Sequence, residues 1–192
     1  MILDMYITMF PVIIGGVLNM IFCHTNFYRR HNKPIDNGKT LRDGKRIFGD
    51  NKTIIGFISM IVICMITQVL YGFLCNALHI QYRNELYDNN YNSVYFNLML
   101  GFLFGFAYML FELPNSFIKR RIDIEAGKTK KNLIGYLFFV VDQIDSLFGV
   151  ILVLYLFSNI SIAKYFGYVA LGGLTHIIVN LILYKLKIRR NL

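Results

Sequence analysis

Residues 135–157 read GYLFFVVDQIDSLFGVILVLYLF, and the fold follows from how this stretch is read. It has the length and apolar character of a bilayer-spanning helix, which needs about 20 mostly apolar residues. Yet it carries Asp142-Gln143-Ile144-Asp145-Ser146, with seven mostly apolar residues before that string and eleven after it. An Asp at a helix centre costs roughly 2.5–3.5 kcal/mol on insertion scales. No Lys or Arg lies within the stretch, so a partner must come from another element or from a metal. On a helix Asp142 and Asp145 are i,i+3 neighbours, with Cβ atoms about 5–6 Å apart. Two carboxylates so placed suit a hard divalent ion, Mg2+ or Mn2+, better than zinc. A buried ion pair is the competing reading.

Outward from this stretch lie four more apolar segments, near 5–25, 54–78, 95–113 and 165–184. Together they predict an all-α integral membrane protein, one membrane domain over 1–192 with about five transmembrane helices. Composition agrees, because 56% of residues are hydrophobic and 16% charged, against about 25% charged in soluble domains. The first segment lacks a basic n-region and a small-residue cleavage site, so it reads as a retained helix. Cys23, Cys64 and Cys75 lie in or beside apolar segments without C-x-x-C spacing, and read as small lipid- or helix-facing residues. Asn19, Gln68, His176 and Asn180 read as interhelical hydrogen-bonding groups.

Charge fixes the expected orientation. The 26–53 loop holds Arg29, Arg30, Lys33, Lys39, Arg42, Lys45, Arg46 and Lys52. The 114–134 loop holds Lys119, Arg120, Arg121, Lys128, Lys130 and Lys131, and the tail holds Lys185, Lys187, Arg189 and Arg190. Only Arg83 and Lys164 lie in the alternate segments, so eighteen of the twenty basic residues fall on one face. The positive-inside rule makes that face cytoplasmic, with two basic cytoplasmic loops, the N-terminus outside and the C-terminus inside a multi-pass cell-membrane protein. Topology accounts for most of the net charge of +9, so no nucleic-acid partner is required. The oligomeric state leaves no mark in the sequence. A polar patch at Asn89, Asn90, Asn92 and Ser93 is expected to carry no chemistry.

Two further constellations sit on the basic face. Loop one contains Pro34-Ile35-Asp36-Asn37-Gly38, Arg42-Asp43-Gly44-Lys45-Arg46 and Gly49-Asp50-Asn51-Lys52-Thr53. Glycines let backbone turn sharply and approach a ligand, and neighbouring Lys and Arg suit a polyphosphate. A solvated, topology-setting loop is the competing reading. The second runs Glu112-Leu113-Pro114-Asn115-Ser116-Phe117-Ile118-Lys119-Arg120-Arg121. Snorkelling and anionic-lipid contact account for Arg121. They do not account for Glu112, since positive-inside charge needs no acid.

These strings resemble the CDP-archaeol synthase family, CTP-dependent lipid cytidylyltransferases related to the CDP-diglyceride synthetases. The segment from Pro34 to Gly56 is similar to the family's first motif. Ser116 to Arg121 is similar to its S-F-I-K-R-R element, and Asp142 to Asp145 to its D-Q-x-D element. Phe111-Glu112 stands where the family often has Gly-Asp, and Ile54-Ile55 where it often has aromatic and basic residues. The resemblance implies transfer of CMP from CTP to a lipid phosphate, giving a CDP-lipid and pyrophosphate for phospholipid synthesis. It implies Glu112, Asp142 and Asp145 as ligands of Mg2+ (or Mn2+), and Lys119 and Arg120 as phosphate contacts. Asp43, Gly44, Lys45, Arg46, Gly49, Asp50, Lys52 and Ser116 are implied around the nucleotide. CTP then reaches the site from the cytoplasm and the lipid phosphate from the bilayer.

Rival readings remain at this point. A CDP-alcohol phosphotransferase needs D-G-x-x-A-R with a later Asp pair, and Arg46 arrives two residues early after Asp43. A CTP-dependent polyprenol or lipid kinase would transfer phosphate instead of cytidylate. A small transporter with Asp142 and Asp145 in its path would be no enzyme at all.

Overall fold

The computed structural model describes residues 1–88, 90–128 and 130–186. Asn89 of the polar patch, and Lys187, Arg189 and Arg190 of the basic tail, lie outside the described residues. Five helices are long and apolar enough to cross a membrane: α1 (Ile2–Phe22), α3 (Ile54–Ala77), α4 (Val94–Arg121), α5 (Leu133–Phe157) and α6 (Ile162–Lys185). A short helix, α2 (Asn26–His31), follows α1. Among the described residues no strand forms, and two isolated bridges, Pro34–Thr53 and Thr40–Arg46, pin loop one.

Local chemistry sets where these helices start. Thr53 Oγ1 accepts from the Gly56 amide at 3.1 Å, and Ser93 Oγ from that of Phe96 at 3.2 Å. Asn132 Oδ1 accepts from the Gly135 amide at 2.9 Å, and Ser161 Oγ from that of Lys164 at 3.2 Å. Each side-chain oxygen satisfies one amide that a helix start leaves unpaired.

Helices α3 and α4 approach closely because α4 presents Gly101 and Gly105 one turn apart. A Cβ on either would stand 2.5 Å from the backbone Cα of Met65 or Ile61 respectively. Small residues at this spacing let membrane helices gain dispersion contact along their backbones. Leu100, Phe104, Leu147, Val150, Ile151 and Leu154 then fill the seam between α4 and α5, joined by Tyr168 of α6. Gln68 Nε2 donates to Asn97 Oδ1 and Ser59 Oγ to Asn19 Oδ1, tying α3 to α4 and to α1. The expectation of interhelical hydrogen bonds at Asn19 and Gln68 holds.

One boundary departs by more than a helical turn from the sequence expectation. The apolar segment at 95–113 was expected to end there, with loop over 114–134, but α4 continues through Pro114 to Arg121. Proline removes its own N–H from the ladder and its ring crowds the carbonyl one turn back, so the helix needs outside support to continue. The turns beyond it are held by α5, since Asn115 and Lys119 both donate to α5 carboxylates. Glu112, Ser116 and Lys119 therefore share one helical face at i, i+4 and i+7.

Helix α1 meets α6 away from the basic end, where Tyr6 Oη lies 3.2 Å from Thr175 Oγ1 and Met9 packs beside Gly172. Nearer the basic end, Ile13, Gly16, Val17 and Met20 of α1 and Val179 and Leu183 of α6 line a shared cavity.

Candidate active site

Loop one is organised by a residue outside the candidate set. The Asp36 carboxylate has no solvent exposure and pairs with Arg46 at 2.6 Å. It also accepts from the amides of Gly38 at 3.1 Å and of Phe48 and Gly49 at 3.0 Å. Burial opposes its charge, but Arg46 and the three amides outweigh burial and hold its carboxyl well below the usual range. Gly49 turns at φ +97°, and a Cβ there would stand 2.8 Å from an Arg120 nitrogen, so glycine alone fits this turn.

The same loop is stitched to the end of α4. Asp43 accepts from Arg121 Nη1 at 2.7 and 2.8 Å. Lys45 Nζ lies 2.7 Å from Asp123 and donates to the Arg121 carbonyl at 2.7 Å. Arg121 also donates to the Arg46 carbonyl and stands 5.1 Å over the Phe117 ring. The snorkelling account of Arg121 is thereby corrected, because its guanidinium faces loop one instead of lipid headgroups.

The carboxylates gather where α4, α5 and the end of loop one converge. Lys52 pairs with Glu112, and Lys119 with Asp142. Asn115 Nδ2 donates to Asp142 Oδ1 at 2.7 Å and to Asp145 Oδ2 at 2.6 Å. Asp145 also accepts from the Ser146 amide at 2.7 Å. Burial opposes the charge on Lys52, but Glu112, with Asp145 and Asp142, holds its ammonium above the ordinary value.

These groups line one cavity of about 650 Å3. Of the sequence candidates, Asp50, Lys52, Glu112, Ser116, Lys119, Arg120, Asp142 and Asp145 line it, whereas Asp43, Gly44, Lys45, Arg46 and Gly49 do not. The second group shapes the loop that forms the cavity's rim. At the inner wall, His176 Nδ1 lies 3.0 Å from the Gln143 carbonyl and its Nε2 3.3 Å from Tyr108 Oη. A carbonyl only accepts, so Nδ1 carries the proton and Nε2 accepts from Tyr108. Asn180 donates to Gln143 Oε1 at 2.7 Å, so His176 and Asn180 make the interhelical bonds expected of them.

Sequence reasoning passed over Asp36, Asn115 and Tyr108. A neutral amide inside a motif and a Tyr in an apolar helix carry no anomalous cost, so neither stands out. Asp36 had a signal, since Asp two residues before Gly in a turn-rich string marks an Asx-type organiser.

Among the described residues, no group of three His, Cys, Asp or Glu side chains stands ready to hold a metal ion. Glu112, expected with the Asp pair, is paired with Lys52, as Asp142 is with Lys119. The donor set still fits Mg2+, which is usually held by one or two carboxylates together with substrate phosphates, without a cage of protein ligands. Asp142 and Asp145, gathered by one amide, supply such a pair.

Comparison with known proteins gives a consistent picture. A family model described as CarS-like, CDP-archaeol synthase, matches residues 1–191. The chain is 33% identical to the CDP-archaeol synthase of Pyrobaculum islandicum, over 85% of this chain and 83% of that one. It is 28% identical to that of Methanococcoides burtonii, over 82% of this chain and 89% of that one. A solved structure, described as an intramembrane enzyme for archaeal membrane lipids biosynthesis, superposes with a TM-score of 0.64. It is 22% identical and the match covers 94% of this chain and 95% of that one, so the two share a fold.

Proposed function

The chain belongs to the CDP-archaeol synthase family, and from that membership we propose how its own residues carry the reaction. It is a membrane cytidylyltransferase that uses CTP to form a CDP-lipid. The kinase and transporter readings are not favoured. A lipid phosphate oxygen attacks the α-phosphorus of CTP, the bond to the β-phosphate oxygen breaks, and pyrophosphate leaves. The nucleophile is already an anion, so no Ser–His pair is needed. Rate comes from in-line positioning and from neutralising phosphate charge.

The observation that carries this reading is the pairing of Lys52 with Glu112 and of Lys119 with Asp142 in one cavity. Each lysine is a phosphate ligand parked on a carboxylate. When a nucleotide triphosphate enters, its oxygens compete for the two ammonium groups, and Lys52 and Lys119 turn from carboxylate to phosphate. Glu112 and Asp142 are thereby released, and Asp142 with Asp145 can hold a divalent ion. That ion, when bound, supplies charge neutralisation on the phosphate oxygens. Arg120 and Ser116, which also line the cavity, add donors to the same anion. Asp36, Asp43, Lys45 and Arg46 keep the rim in shape, and Asp50 stands at its edge. The apolar arm of the cavity between α1 and α6 suits the acyl or isoprenoid end of the lipid phosphate, reached sideways from the bilayer. The basic end of the bundle then faces the cytoplasm, where CTP is.

The test is purified protein with labelled CTP, Mg2+ and a panel of ester- and ether-linked lipid phosphates. Expected products are a CDP-lipid and pyrophosphate in equal amounts. Release of CDP with a newly phosphorylated lipid would establish a kinase and overturn the reading. The same panel identifies the preferred lipid.

A further inference from the structure

Asn115 is more than nine-tenths buried, at 7% exposure, and lines the cavity beside the carboxylates. Its Nδ2 bridges Asp142 and Asp145, while its Oδ1 is buried and has no hydrogen-bond partner. Leaving an acceptor unpaired at such burial is costly, because its hydration is lost and not replaced.

We propose that Asn115 is a switchable third oxygen ligand for the divalent ion held by Asp142 and Asp145. This rests on the reading of those two residues as a metal-binding pair. The terminal torsion of an Asn amide is broad and two-fold, so a half-turn exchanges nitrogen and oxygen within nearly the same volume. Which atom faces the carboxylates depends on the charge between them. Without a cation, only an N–H donor is tolerated beside two anions, and it holds them together. With a cation between them, an N–H is repelled and an amide oxygen is drawn in. The spacing suits the exchange. Adjacent oxygens of an octahedral Mg2+ site at 2.0–2.1 Å from the metal stand about 2.9 Å apart. The amide atom now facing the pair lies 2.7 and 2.6 Å from one oxygen of each Asp. Once turned inward, the amide oxygen would stand near ligand spacing from one oxygen of each Asp, with phosphate oxygens and water left to complete the site.

The experiment is Mn2+ binding to the full chain in detergent with CTP equimolar to the chain and no lipid phosphate, read from the EPR signal of free Mn2+ against a blank of CTP alone. Asn115→Leu keeps the shape without donor or acceptor. It should bind Mn2+ about tenfold more weakly, and affinity within about twofold of the unsubstituted chain would overturn the inference. Asn115→Asp presents oxygen without turning, so it should bind at least as tightly and gain more melting temperature from Mn2+ than the unsubstituted chain. Should Asn115→Leu fail to fold, weaker binding by Asn115→Asp than by the unsubstituted chain overturns the inference instead. Asp145→Asn separates the two levels. Mn2+ binding that survives this change, or is absent from the unsubstituted chain, sinks the metal pair and the inference with it. Binding lost in Asp145→Asn but unaffected by Asn115→Leu removes Asn115 alone.

Discussion

Asp145 sits inside an apolar helix without a lysine or arginine paired to it among the described residues, while Asp142 and Glu112 each hold one. Asp145→Asn keeps shape and an acceptor for the Asn115 amide but removes the charge that a divalent ion requires. The variant should fold with an unchanged or higher melting temperature, since losing a buried charge lowers its desolvation cost. Its CTP turnover should fall by about two to three orders of magnitude. A destabilised but active variant would mean that the carboxylate serves stability instead of chemistry. Asp36 makes the opposite case, a charge kept for structure. Its carboxyl is held below the ordinary range, so its stabilising contribution is full above the unfolded value of about 4 and is lost only as pH falls through the lower folded value. Amide protection at Phe48 and Gly49, measured by hydrogen exchange and corrected for intrinsic rate, should therefore persist below about pH 4. Asp36→Asn should lose most of that protection at neutral pH, and unchanged protection would remove Asp36 as the loop's organiser. These two residues also show what a sequence exposes at this scale. Asp142 and Asp145 are conspicuous because charge in an apolar run is costly. Asp36 is one polar residue among many in a loop, and only its three amide donors and Arg46 reveal it.

The five long helices were legible because hydropathy alone marks them, whereas the side-chain caps that set four of their starts were not read from the sequence. The end of α4 was not legible. Pro114 and the basic cluster after it read as a stop, whereas the turns beyond are held by contacts to α5 that no local pattern encodes. That continuation matters, since it brings Glu112, Ser116 and Lys119 onto one face. The α3–α4 seam is the element on which this face depends. At Gly101 an added Cβ would stand 2.5 Å from the Cα of Met65 and 2.6 Å from the Cys64 carbonyl. Backbone atoms cannot give way as a flexible side chain can. Gly101→Ala should therefore destabilise by about 1–3 kcal/mol, the usual range for overpacking, seen as a lower melting temperature in detergent. Gly16→Ala is the matched control, because a Cβ there meets nothing within 4 Å. Equal melting temperatures for the two variants would mean that the seam is looser than its glycines suggest.

The molecule as a whole has a basic end and an opposite end, and the charge split that distinguishes them was plain in the sequence. Reporter fusions after residues 40 and 125 should report the cytoplasm and a fusion after residue 88 the outside. The reverse pattern would put the cavity on the face without CTP. Not legible was the cavity's apolar arm, because a gap between two helices is a property of how they pack and neither helix encodes it alone. Helices α1 and α6 touch at Met9 and Gly172, and further along Ile13, Gly16, Val17, Val179 and Leu183 face a common space. If that space receives the lipid chain, filling it should weaken lipid use and spare the nucleotide. Gly16→Phe does this with little strain at the backbone, since the first added carbon enters open space. The ring then occupies apolar volume about 1–1.5 kcal/mol in value to a bound chain, equivalent to about a tenfold change in affinity. The expected result is a KM for lipid phosphate raised about tenfold, with the KM for CTP and the melting temperature little changed. Short-chain lipid phosphates, which reach less far into the arm, should be affected less than long-chain ones. A raised KM for CTP with lipid use intact would instead place the nucleotide in the arm between α1 and α6, and the two substrates would exchange places in the cavity.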